Sequence, residues 1–187
     1  MASREHKKVP TSKAADLCQT PTYALDPLYP HLNPSWVIWE PACGECNLVN
    51  GLRSRGYEVF ASDIFNGQDF FKYQPNRFDM ILTNPPYSLK LAWLERCYNL
   101  GKPFALLLPV EVLGVGSAQR LFKRYGMEVI LLSRRIDFAT VNTSFEKSSS
   151  WFPSCWITSG LNIGQQITYA NIVKRPDQQL TLLTQPA

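Results

Sequence analysis

The chain has 187 residues, 45% of them hydrophobic, which is enough for one substantial core and most simply a single domain, so a second folded domain is not expected. It contains no run of 18 apolar residues, and the stretch from Met1 to Lys8 lacks the apolar centre of a signal peptide, so the expected setting is cytoplasmic, with no membrane contact. Five cysteines, an odd number at irregular positions, do not make a disulfide framework, and a net charge of +4 is compatible with nucleic acid without specifying it.

Residues 1–34, rich in Pro, Thr and polar groups, read as an N-terminal arm or irregular cap carrying Arg4, Lys7, Lys8 and Lys13. From Ser35 the texture changes to strand-length apolar runs at Trp36 to Trp39, Tyr57 to Ala61, Phe78 to Leu82, Phe104 to Leu108 and Val129 to Leu132. Several are continuous rather than alternating, as expected of parallel strands covered on both faces. Between them, Leu89 to Leu100 places Leu91, Leu94, Tyr98 and Leu100 near helical spacing. Val115 to Tyr125 gives a shorter amphipathic pattern with Gly126 as its stop. Arg120, Lys123, Arg124, Arg134 and Arg135 form a second gathering of positive charge, equally readable as a solvated face. Beyond Arg135 the pattern weakens; Ser154 to Ser159 and Asn171 to Lys174 are expected as late strands, and Trp151, Phe152 and Trp156 as core aromatics, with a substrate-facing role as the alternative. Residues 35–175 thus read as one catalytic domain and 176–187 as a frayed tail. Strand alternating with helix predicts a doubly wound α/β sheet, whose ligands bind at the carboxyl ends of its strands.

At one such end stands Asn84-Pro85-Pro86-Tyr87. These residue types suit the task of holding a planar amino group against an electrophile. The lone pair of such a nitrogen is delocalised, so two acceptors on its two N–H bonds, the Asn84 side-chain oxygen and the Pro85 carbonyl, would favour a more tetrahedral and more nucleophilic atom. Prolines stiffen the loop, and the Tyr87 ring offers a planar substrate a stacking surface. In isolation the tetrapeptide also reads as a plain turn.

Upstream, Trp39-Glu40-Pro41-Ala42-Cys43-Gly44-Glu45-Cys46 follows the first candidate strand, Asp63-Ile64 follows the second, and Asp69-Phe70 lies between them and Asn84. In this order the segments resemble the class I S-adenosylmethionine-dependent methyltransferases, in the amino-methylating branch that includes the DNA N6-adenine methyltransferases. The resemblance covers roughly residues 19–160, with its sharp motifs between 39 and 87. It implies a Rossmann-like, doubly wound, mostly parallel seven-stranded sheet and S-adenosyl-L-methionine as cofactor. It further implies that Glu40, Pro41, Ala42, Cys43 and Gly44 form the cofactor loop. Asp63, with Ile64 beside it, would accept the ribose hydroxyls; Asp69 and Phe70 would receive the cofactor adenine; and Thr20, in Gln19-Thr20-Pro21, would lie over the methionine end. Asn84 would touch both cofactor and acceptor, Pro85 and Pro86 would complete the catalytic loop, and Tyr87 would hold the substrate base. One position departs from the family's acidic-Pro-x-x-Gly-x-Gly loop: Cys46 stands where the second glycine belongs, and a Cβ there restricts positive φ and close backbone approach.

The expected reaction is methyl transfer to an exocyclic amino nitrogen, adenine N6 of DNA before cytosine. RNA bases or a protein glutamine amide of the release-factor type are the alternative acceptors, and a non-catalytic cofactor- or nucleic-acid-binding module is the alternative of another class. The interval from Asp69 to Asn84 is too short for a target-recognition domain, so sequence readout would come from short loops or a separate specificity partner, as in minimal phage-type enzymes. No metal site is expected. Cys43-x-x-Cys46 lacks a second ligand pair, with His6 and His31 the sole histidines, and its redox reading ranks below the cofactor loop.

Overall fold

The computed structural model describes residues 18–140, 148–149 and 152–174. Lys7, Trp151, the expected tail and the rest of the N-terminal basic cluster lie outside them. Seven strands form one sheet: β2 (Val37–Glu40), β3 (Glu58–Ala61), β4 (Met80–Thr83), β5 (Phe104–Pro109), β6 (Glu128–Leu132), β9 (Ser154–Ser159) and β10 (Ile167–Ala170). Their spatial order is β10-β6-β9-β5-β4-β2-β3. All neighbours pair in parallel except β9, which runs antiparallel to both β5 and β6. A small second sheet joins β1 (Cys18–Gln19), β7 (Asp137–Thr140) and β8 (Ser148–Ser149).

The continuous apolar runs arise because both faces of the central strands are covered. Met80 and Leu82 pack to one side of β4 and Ile81 to the other, while Ala105 and Leu107 of β5 oppose Leu106 and Leu108. One face is covered by α2 (Lys90–Leu100), through Trp93, Leu94 and Cys97, and by α3 (Gly116–Tyr125), through Ala118 and Phe122. The other is covered by α1 (Asn47–Arg53) and by residues 22–32 of the cap, where two 3-10 turns bury Tyr23, Leu25, Leu28 and Leu32.

The described part of the cap is therefore integral to the core. Gly51 of α1 permits the close approach, since a Cβ there would meet Leu25 Cδ1 at 2.8 Å, and the Tyr29 hydroxyl donates to the Gly51 carbonyl. From the opposite side, fully buried Trp156 donates its indole N–H to the Ala24 carbonyl at 2.8 Å, which settles that aromatic in the core. Trp156→Phe removes this donor beneath a buried carbonyl and leaves space behind; we expect a loss of about 2–4 kcal/mol in urea unfolding.

Two expectations shift. The last strand lies at Ile167–Ala170, not 171–174; as an edge strand with Ile167 and Tyr169 exposed, it has no continuous apolar run to mark it. The crossover from β3 to β4 contains one 3-10 turn, Ile64–Asn66, in place of a helix, and Asp69, Phe70 and Phe71 from the rest of it line the site.

Candidate active site

The chain turns to opposite sides after β2, placing β3 on one flank and β4 on the other. The crevice outside the carboxyl ends at such a reversal is where α/β sheets bind ligands. A cavity of about 300 Å³ lies there. Its wall contains Thr20, Glu40, Pro41, Ala42, Cys43, Gly44, Asp63, Ile64, Asp69, Phe70, Asn84 and Pro86, so nearly every predicted site residue is brought to one place.

The loop leaving β2 is fastened to the loop leaving β3. Asp63 does most of this: its two carboxylate oxygens accept from the Gly44 and Phe65 N–H groups, each at 2.9 Å. The Cys43 N–H donates to the Ser62 carbonyl and the Ser62 hydroxyl accepts from the Trp39 indole. Gly44 has φ +50°, and a Cβ on it would collide with the Gln19 side chain, whose Oε1 accepts from the Glu45 N–H. Cys46 has φ 62° and ψ 26°, the left-handed conformation that glycine adopts freely. A cysteine meets that backbone demand at a cost of about 1 kcal/mol. Cys46→Gly is accordingly expected to raise the denaturation midpoint, by an amount equivalent to about 1 kcal/mol less glycine's unfolded-state entropy, and not to weaken ligand binding.

The Cys43 and Cys46 sulfurs are 3.1 Å apart as free thiols. Burial, the Cys46 thiol and the nearby Asp63 and Glu40 carboxylates push Cys43 up to about 12, opposite to an activated thiolate.

Glu40 is fully buried at the tip of β2; its Oε1 accepts from the Ala42 N–H at 3.1 Å. Burial raises its pKa from 4.5 to about 8, against the neighbouring Thr83 hydroxyl and the Ala42 N–H, with Asp63 adding to the rise. Thr83 is close enough to depress the value, yet neither its hydroxyl nor Glu40 Oε2 has a partner in normal hydrogen-bonding geometry. Asn84 Oδ1 is likewise buried without a partner. Such atoms are rare, because buried polar groups are nearly always satisfied.

At the other end of the cavity, Phe70 stacks on Trp93 with centroids 3.9 Å apart and an interplanar angle of 10°. Asp69 accepts from the Phe71 N–H and pairs with Lys72 at 3.7 Å. Trp93 was not among the residues read from the sequence; it falls four residues after Leu89, which also lines the wall, so helical spacing carried the signal.

Pro85 and Tyr87 are not on the cavity wall. Tyr87, expected as the stacking surface, is buried, edge-on to Phe152 at 5.3 Å and to Phe138 at 6.5 Å. The tyrosine follows two prolines and enters a 3-10 turn, Tyr87–Leu89, that rotates it toward the core. Among the described residues, no three His, Cys, Asp or Glu side chains gather as a metal site, and no helix is long and apolar enough to cross a membrane.

No family model and no curated protein matches the chain. Among solved structures it is similar to the methyltransferase subunit of a type I restriction-modification system from Streptococcus thermophilus, with 18% identity and a TM-score of 0.50, covering 88% of this chain and 47% of that one. It is also similar to a dimethyladenosine transferase from Plasmodium falciparum, with 17% identity and a TM-score of 0.45 over 76% of this chain and 62% of that one. The chain spans about half the length of the first, and that likeness is one of fold: the mostly parallel, seven-stranded sheet has the Rossmann-like α/β architecture seen in that subunit.

Proposed function

We propose that this protein is an S-adenosylmethionine-dependent methyltransferase that transfers a methyl group to an exocyclic amino nitrogen, adenine N6 of DNA. The observation that carries the reading is Asn84: an acceptor oxygen, buried and unpartnered, on a residue of the cavity wall at the tip of β4.

The residues present suit this cofactor. The wall holds three carboxylates, Glu40, Asp63 and Asp69, and no Lys or Arg, a balance that favours a cationic ligand rich in hydrogen-bond donors. Each Asp63 oxygen takes one backbone N–H and keeps a further lone pair for a ribose hydroxyl. Phe70, Ile64 and Pro86 offer apolar surface to a purine, Gly44 leaves room beside Gln19, and the volume falls at the lower end of small-molecule sites.

When bound, S-adenosylmethionine supplies an electrophilic methyl on a sulfonium. The protein contributes orientation and desolvation. Asn84 Oδ1 would accept from one amino N–H, and the Pro85 carbonyl, which the loop would have to turn toward the cavity, from the other, leaving the nitrogen lone pair to face the methyl. The amino proton departs after transfer, and the site needs no strong base. A base in duplex DNA must leave the stack to reach Asn84. Stacking on Tyr87 then requires one of its two phenylalanine neighbours to give way, and half-buried Phe152 is the more exposed of them.

The test is nucleoside mass spectrometry of DNA from cells expressing the chain. N6-methyladenine present with the parental protein and absent with Asn84→Ala supports the reading; equal levels in both remove Asn84 from the mechanism.

A further inference from the structure

The positive side chains between Arg120 and Arg135 look like one group in sequence, and the fold divides them. Helix α3 leaves the carboxyl end of β5 and returns to the amino end of β6, so Lys123 and Arg124 in its last turn stand at the amino edge of the sheet, away from the cavity. Arg134 and Arg135 follow β6 and stand at the carboxyl edge, the same edge as Asn84. Both are exposed.

The segment after Arg135 leads directly to the site. Ile136 is fully buried and anchors the turn. Phe138 sits against Tyr87, and Ala139 pairs across the small sheet with Gln19, which lines the cavity. Extended chain rises about 3.3 Å per residue, so the three steps from Phe138 back to Arg135 span at most about 10 Å. That is the length of about three stacked nucleotides at 3.4 Å each.

Among the described residues the charge at this edge is also uncompensated. Of the nearby carboxylates, Asp137 is held by Lys174 at 2.7 Å and Glu111 by Lys90 at 3.7 Å. Among the described residues neither Arg134 nor Arg135 has an ion-pair partner. A pair of guanidiniums, free of carboxylates and joined by a buried anchor to the ring beside the catalytic loop, suits phosphate oxygens flanking an extruded base.

We propose that Arg134 and Arg135 form the phosphate-contacting clamp that seats the DNA backbone beside the Asn84 cavity, whereas Lys123 and Arg124 take no part. The inference rests on the nucleic-acid reading above. Each contact displaces condensed counterions, so the clamp sets part of the salt dependence of binding and adds no sequence preference.

The experiment measures anisotropy of a fluorescein-labelled, mixed-sequence DNA duplex between about 50 and 200 mM salt, with Arg134→Ser/Arg135→Ser compared with Lys123→Ser/Arg124→Ser and the parent. Unchanged circular dichroism certifies folding, and the second pair removes the same charge from the other edge. We expect the first pair to flatten the log–log salt slope by about 1.8, two contacts at 0.9 each, and to weaken binding about 30-fold near 0.15 M salt. The second pair should leave the slope at the parental value. Equal slopes in all three proteins, or equal losses in both pairs, overturn the clamp while leaving methyl transfer to DNA standing. A parent that binds the matching RNA strand and not the duplex overturns the assignment to DNA, and a parent that binds neither overturns the clamp together with the reading on which it rests.

Discussion

Asn84→Ala is expected to bind S-adenosylmethionine within about threefold of the parent while lowering single-turnover methyl transfer by about 10²–10³, the usual effect of deleting one preorganised polar group aimed at the reacting atoms. The separation of the two effects follows from the geometry. Most of the cavity wall belongs to the loops after β2 and β3, which Asp63 ties together without help from Asn84. Among the described residues the Asn84 oxygen has no partner, so truncating it breaks no hydrogen bond among them. A structural residue would instead lower stability and affinity together. Equilibrium calorimetry with rapid-quench transfer distinguishes the two, and loss of affinity with transfer intact would reverse the assignment.

Glu40 gives the second large effect. Held at about 8 by burial, its carboxyl is protonated in the ligand-free protein at neutral pH, whereas the unfolded chain ionises it near 4.5. The unfolded state therefore binds fewer protons across that window. Stability is fully present below about pH 4.5 and declines as pH rises toward about 8, by an amount on the order of 5 kcal/mol for the whole interval. A cation in the cavity favours the ionised form. Binding of S-adenosylmethionine should therefore release up to one proton from Glu40 below about pH 8, with affinity rising as pH rises and levelling above it. Glu40→Gln should abolish both the proton release and the rise in affinity, weaken binding about 10- to 100-fold, and flatten the stability profile. Calorimetry in buffers of different ionisation enthalpy measures the proton directly; a proton count of zero in the parent at pH 7 would refute the coupling.

The central strands were legible in the sequence because covering both faces of β4 and β5 turns alternation into continuous apolar runs. Helices α2 and α3 were legible from their spacing, and α3 also from Gly126 after its last turn. The cap was not: its leucines are spaced for 3-10 turns, and only the close approach at Gly51 reveals how tightly residues 22–32 replace a covering helix. At the site, Glu40, Asp63, Asp69 and Asn84 reach the cavity wall because each ends or follows a strand or begins a short turn. Trp93 escaped notice because its role depends on a face of α2 and on the ring of Phe70. Tyr87 stands off the cavity wall because the identity of a residue in a loop does not fix the rotation of the turn that carries it. The split of the basic group follows from the same limit: nearness in sequence between Arg124 and Arg134 spans the whole length of β6, which carries them to opposite edges.

The most direct measurement is transfer of tritium from methyl-labelled S-adenosylmethionine by the purified chain, offered unmethylated DNA, RNA, ribosomes and release factor in parallel. The account predicts label in DNA alone, recovered as N6-methyladenine and lost with Asn84→Ala; label in another acceptor, or in none while the cofactor is bound, would contradict it.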